Sequence, residues 1–199
     1  MAKKSLFDTL QANAFRAGVT ARTKESQKWF ADNIEKLRMP SRPALLKDTA
    51  LEPTSREIAG NMYMYFYDPK HKKTLPYYDR FPLTIMVQPM KGGFQGLNLH
   101  YLRPDIRAKF LDELMGLAPG TLNNNTRLTK LRYDLLQSTR KYKEFRPCFK
   151  SYLTSQINSR LVRVPITDWQ IAIFLPTEQF RKSGKANVWK ESVKIARQR

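Results

Sequence analysis

The chain has 199 residues, enough for one sizeable core or one core plus arms, and its 41% hydrophobic and 12% aromatic content is far from a disordered composition. Lys and Arg number 36 against 17 Asp and Glu; the net charge of +19 excludes an ordinary neutral enzyme and points to a polyanionic partner, nucleic acid first, an anionic protein or membrane surface second. Solubility through charge is the plainer alternative. One cysteine, Cys148, excludes an internal disulfide. No stretch has the unbroken apolar length to span a bilayer, and MAKKSLFDTL lacks the apolar core of a secretory signal.

In chain order, residues 1–17 carry a weak helical pattern (Leu6, Leu10, Ala14, Ala17) ended by Gly18. A second helix is predicted from Thr23 to Arg38, with Trp29, Phe30, Ile34 and Leu37 on one face and Thr20 or Thr23 as cap. Residues 39–55, with three prolines, read as an extended connector. Residues 1–55 are therefore expected to form a helical arm with a proline-containing connector, ordered on a neighbour, and 56–199 a single basic α+β domain. The alternative is that both helices pack directly on the body.

The clearest sheet signal lies between Tyr63 and Tyr101. Tyr63–Tyr67 is an aromatic run stopped by Asp68-Pro69; Pro82–Val87 is a second run, ended by Pro89; Gly92-Gly93 supplies a turn; Phe94–Tyr101 alternates with period two. Residues 63–67, 83–87 and 94–101 are expected to pair as an antiparallel meander. Such a meander needs cover on one face at least. Pro104 opens a helix with Ile106, Phe110, Leu111, Leu114 and Met115 as its apolar stripe. An asparagine-rich loop (122–125) and a helix over about 127–139 follow. Pro147 is expected to start a further helix with Phe149, Tyr152, Leu153 and Ile157 inward. Leu161–Ile166 and Trp169–Leu175 read as a strand hairpin turning at Thr167-Asp168. The fold expected is α+β: an antiparallel sheet or small open barrel from 62–101 and 160–175, with flanking helices outside.

The sequence is poor in catalytic or metal-binding patterns. His71 and His100 are far apart and match no zinc spacing. His100 is expected on the strand face opposite Leu97, Leu99 and Tyr101, with no partner visible. Cys148 reads as a small buried thiol. GGFQG at Gly92–Gly96 lacks the ending of a phosphate loop. No catalytic residue, metal site, cofactor, membrane or small-molecule substrate is expected.

Basic residues interleave with aromatics in three places: Lys70–Tyr78, Arg140–Lys150 and Phe180–Trp189. Phosphates need cations, and exposed rings stack on unpaired bases or DNA ends. The residues expected to contact duplex DNA, without sequence preference, are Lys70, Lys72 and Lys73; Arg140, Lys141 and Lys143; and Arg181, Lys182 and Lys185. For each cluster a solvated surface is the competing explanation.

The strings YFYDPKHKKTLPYYDRFPL, GLNLHYLRPDIRAKFLDEL, RPCFKSYL and FLPTEQFRK give the chain a resemblance, over about residues 25–190. It resembles a family of small basic virion proteins of T-even-type contractile-tailed phages, the DNA end protectors. The resemblance implies a stoichiometric part of the particle, made in the host cytoplasm. It would bind the terminus of the packaged genome beside other phage structural proteins, shield it from host exonuclease, and catalyse nothing. The competing class is a structural adaptor of the tail or baseplate whose charge meets acidic neighbours; a nuclease or ribosome-associated protein is a distant third.

Overall fold

A computed structural model describes residues 5–20, 23–37, 41–55, 58–116 and 143–198. Among these residues six strands form one open antiparallel sheet in the order β1 (Glu52–Thr54), β7 (Leu161–Val164), β2 (Met62–Met64), β4 (Leu83–Met90), β5 (Gly93–Asn98), β6 (Phe149–Leu153). The remaining two, β3 (Tyr78–Asp79) and β8 (Phe180–Arg181), make a separate two-stranded ribbon. The expected meander is present: β2 pairs with β4 over Met62–Met64, and β4 pairs with β5 around Gly92, whose φ of +76° makes the turn. The class is α+β, and the sheet is open rather than closed into a barrel.

The aromatic run shows why the sheet has two dry faces. Side chains alternate along an extended chain. Met62, Met64 and Phe66 therefore join the main core, while Tyr63, Tyr65 and Tyr67 turn the other way into a cluster with Met86, Phe94, Tyr152 and Leu161. Tyr65, Tyr67, Phe94 and Tyr152 meet there at centroid distances of 4.9–6.4 Å. The first strand is shorter than its aromatic run: it stops at Met64, and Tyr67 keeps a single bridge to Ile157.

Helices α1 (Leu6–Arg16), α2 (Lys24–Glu35) and α3 (Arg42–Leu45) cover the main face. Thr23 and Ser26 cap α2 reciprocally. Asp48 holds the start of α1, accepting from Ser5 Oγ at 2.6 Å and Leu6 N–H at 2.9 Å. Phe7, Leu10, Phe30, Ile34, Leu45 and Leu51 lie in the same core cluster as the strands. The connector is not wholly extended: it contains α3 and β1, and Pro53 sits on a sheet edge, where its missing N–H costs no ladder bond.

Three expectations need correction. Residues 169–175 are not a strand: Trp169–Ala172 is a short helix, α5, following a 3-10 turn at Ile166–Asp168. Residues 169–173 are all buried, so no alternation exists to separate strand from helix. Conversely, Phe149–Leu153 is strand β6, not a helix. Phe149, Tyr152 and Leu153 fit helical spacing, but the free edge of β5 claims the segment as the sixth strand of the sheet. Thirdly, the β5 strand ends at Asn98, and Leu99–Tyr101 is a 3-10 turn in which His100 is fully buried rather than facing away from the core. The helix from Pro104 is present as α4 (Pro104–Gly116), and the chain closes with α6 (Lys185–Arg197). The loop expected at 122–125 and the helix expected at 127–139 lie outside the described residues.

Candidate nucleic-acid interface

The loop after Asp68-Pro69 turns back on itself through Lys72 N–H to Pro69 O and Thr74 N–H to His71 O, leaving Lys70, His71, Lys72 and Lys73 exposed. The Lys72 ammonium lies 2.6 Å from Asp68 Oδ2, which raises its pKa. The chain then enters β3, which pairs with β8 through Tyr78–Arg181 and Asp79–Phe180. Just beyond β8, Lys182 adopts a left-handed φ of +67° and its ammonium donates to the carbonyls of Lys73 and Leu75, both at 2.8 Å. Two basic clusters separated by more than a hundred residues thus form one surface: Lys70, Lys72 and Lys73 on the loop, Arg181 and Lys182 on the ribbon. Lys182 ties them together.

Lys185 opens α6, its ammonium 5.7 Å from the Trp189 ring centroid. The outer face of α6 continues with Lys190, Lys194 and Arg197, all exposed, against one acid, Glu191. A 3-10 helix, Lys143–Cys148, packs along α6 and brings exposed Lys143 and Arg146 to it. Arg140 and Lys141 lie outside the described residues.

The interleaved aromatics are mostly spent on packing. Tyr77, Tyr101 and Phe180 contact one another at 5.2–6.5 Å, and Phe145 packs on Phe110 at 4.8 Å. Lys150 lies 4.2 Å above the Tyr101 ring, and burial lowers its pKa.

Beneath this surface lies a buried polar network. Asp79 is nearly fully buried. Its Oδ1 accepts from the N–H groups of Phe81 (3.0 Å) and Gln179 (3.1 Å); its Oδ2 accepts from Asn98 Nδ2 (3.1 Å) and His100 Nδ1 (2.6 Å). Burial alone would push the Asp79 carboxyl up; His100, Asn98 and the Phe81 N–H outweigh it and hold the group below the ordinary carboxylate range. His100 Nε2 lies 3.2 Å from Thr177 Oγ1. A second buried pair, Arg107 and Glu178 at 2.6 Å, adjoins it, and Arg107 also donates to the carbonyls of Leu102 and Ile173. Burial opposes ionisation of Glu178 as well, and Arg107, then His100, pull its pKa below the usual value. Arg42 of α3 closes the network from outside, donating to Thr177 O and Glu178 O at 2.8 Å each.

His100 therefore does have partners, contrary to the expectation from sequence. Asp79, His100 and Thr177 stand in the order of an acid–base relay. The Thr177 hydroxyl is 0% exposed, however, so in this conformation it meets no substrate. The geometry does mechanical work instead: it anchors the β3–β8 ribbon that carries the basic surface. Cys148 is buried, and burial pushes its thiol up to about 12, the opposite of a reactive cysteine. Among the described residues, no group of three or more His, Cys, Asp or Glu side chains is placed to hold a metal, and no helix is long and apolar enough to cross a membrane.

Comparison with known proteins gives one finding. The model of a family described as phage T4 terminal DNA protecting protein matches residues 4–194. No curated protein and no solved structure matches.

Proposed function

We infer what the chain does from where it belongs: it is a member of the phage T4 terminal DNA protecting protein family. We propose that it binds the end of linear double-stranded DNA in the phage particle, without sequence preference, and covers that end without acting on it chemically. It works as a stoichiometric virion component among other phage structural proteins and needs no cofactor. The observation that supports this most is the joining of two basic clusters, distant in sequence, into one surface by the Lys182 ammonium. Lys70, Lys73, Arg181, Lys185 and Lys143 are exposed and form no ion pair among the described residues; Lys72 shares its charge with Asp68. Arg140 and Lys141 belong to the same basic stretch of the sequence, Arg140–Lys150, as Lys143. Phosphate contacts of this kind position a protein on DNA but carry no base information.

If about five of these cations each neutralise a phosphate, the log–log salt slope is roughly −4.5. The test is a titration of linear and closed circular DNA at several salt concentrations. Tighter binding to the linear form with that slope is expected, and the triple variant Lys70→Glu/Lys73→Glu/Arg181→Glu should flatten the slope while leaving the fold intact. Absence of binding near physiological salt would overturn the proposal and favour a structural adaptor that meets acidic neighbours.

A further inference from the structure

A groove of about 220 Å³ runs between α6, the 3-10 turn at Leu99–Tyr101, the start of α4 and the 3-10 helix at Lys143–Cys148. That is below the roughly 300–1,000 Å³ of clefts that enclose a drug-sized ligand. It is large against the about 30 Å³ share of one water. Its size suits a single heteroaromatic ring.

The lining has a matching chemistry. Half-buried Trp189 supplies the ring surface, while Tyr101, 4% exposed and already packed on Tyr77, Phe180 and Lys150, only walls the groove; the indole N–H of Trp189 is already given to His100 O at 2.9 Å, so a ligand need not satisfy it. Ser192 lines the same groove, is 5% exposed, and its hydroxyl has no hydrogen-bond partner among the described residues. Buried hydroxyls are rarely left so, and one that is points to a missing partner. Glu144, from the facing 3-10 helix, adds a carboxylate acceptor suited to an exocyclic amine. Arg197 and Arg103 stand at the groove as cations, the latter 3.1 Å from Asp105. An apolar peptide side chain would leave Ser192 and Glu144 unanswered, and a bare phosphate would meet Glu144 and an apolar slot. A base carrying its own donors and acceptors, with its phosphate toward Arg197, answers every group.

We propose that this groove takes one unpaired terminal nucleobase of a DNA end. The proposal rests on the reading that the chain binds DNA ends and supplies the discrimination which phosphate contacts lack. Bases inside a duplex are stacked and paired and cannot enter without being flipped out; a base in an overhang or frayed end enters at little cost.

The probes are a short blunt duplex, the same duplex with a single-stranded overhang ending in 2-aminopurine, and a closed circle. The full chain should bind the overhang duplex about tenfold more tightly than the blunt one, within the about 5- to 150-fold that stacking one base on an aromatic ring is worth, and should quench the 2-aminopurine. Ser192→Ala removes one hydrogen bond and should weaken overhang binding by about 3- to 10-fold. Ala196→Leu fills the groove and should abolish the overhang preference and the quenching. Both variants should keep blunt-duplex affinity and the unfolding midpoint. Equal binding of blunt and overhang duplexes by the parent protein overturns the groove assignment and leaves end binding standing. So do variants that weaken both duplexes alike or change neither. Failure to bind any of the three DNAs overturns both.

Discussion

Replacing Asp79 should unfasten the β3–β8 ribbon, and the two obvious substitutions should differ in size for a stated reason. Asp79→Ala deprives four donors at once: the backbone N–H groups of Phe81 and Gln179, the Asn98 amide and the His100 imidazole. Each buried donor left without an acceptor costs about 1–3 kcal/mol, so stranding several at once should cost about 3–5 kcal/mol, a large part of the roughly 5–15 kcal/mol that holds a domain together. Asp79→Asn keeps the Oδ1 acceptor for both backbone donors. His100 can then shift its proton to Nε2 and accept from the new amide, which leaves the clash with Asn98 Nδ2 as the main loss, about 1–3 kcal/mol. In urea, with a slope of roughly 3 kcal/mol/M for a chain of this size, the midpoint should fall by about 1–2 M for Ala and less than about 1 M for Asn. Asp79 and Glu178 both have folded pKa values below their ordinary ones. The stability they contribute is therefore complete above the ordinary carboxylate range and lost as pH falls through the depressed folded values. The parent protein should weaken in that acid window, and Asp79→Asn should weaken less steeply there. An Ala variant as stable as the parent, or Ala and Asn shifts of equal size, would refute this assignment of the network.

Gly93→Ala should destabilise by about 1–3 kcal/mol or more, because a Cβ there would run into the Tyr152 backbone carbonyl and backbone cannot step aside; urea unfolding measures it, and a neutral result would mean that β6 does not pair as described. Asp168 behaves oppositely to Asp79: burial, then Asp8 and Asp48, push its carboxyl up to about 6 despite the hydrogen bond from Gln11. With the folded pKa above the unfolded one, folding takes up a proton between about pH 4 and 6 and stability falls as pH rises through that window. Asp168→Asn should raise the melting temperature at pH 7 and change it little at pH 4; a loss of stability at pH 7 would contradict this.

The meander was legible because its central turn is local: Gly92 reverses the chain between β4 and β5 whatever the rest of the chain does. Pro89 and Asp68-Pro69 do not mark strand ends as expected, since β4 continues through Pro89 to Met90 and β2 stops at Met64. The exchange of strand for helix at 149–153 and 169–175 was not legible, since segments of five to seven residues such as FKSYL and WQIAIFL fit both periods and the neighbours decide. Gly93 and Gly96 lack side chains where β6 and Thr84 approach closely, which helps β5 accept a partner on its outer edge. At the candidate interface the sequence supplies the basic residues but not their grouping. Lys182 and Lys73 are far apart in the chain, and only the left-handed backbone at Lys182 brings its ammonium under the loop. The same holds for Asp79, His100 and Thr177, three unremarkable residues until the ribbon, the 3-10 turn and the segment after α5 converge. Arg42 and Arg107 illustrate the converse. In sequence they count towards the positive surface; in the fold they are consumed by carbonyls and by Glu178.

The central claim is that the protein covers DNA ends, and the most direct measurement is degradation of linear duplex DNA by a processive double-strand exonuclease in the presence of the purified chain. Protection is expected at a few protein molecules per end, independent of DNA length, and lost on raising salt or in Lys70→Glu/Lys73→Glu/Arg181→Glu. Unchanged degradation with protein in large excess over ends, or protection that requires coating the whole duplex in proportion to its length, would contradict it.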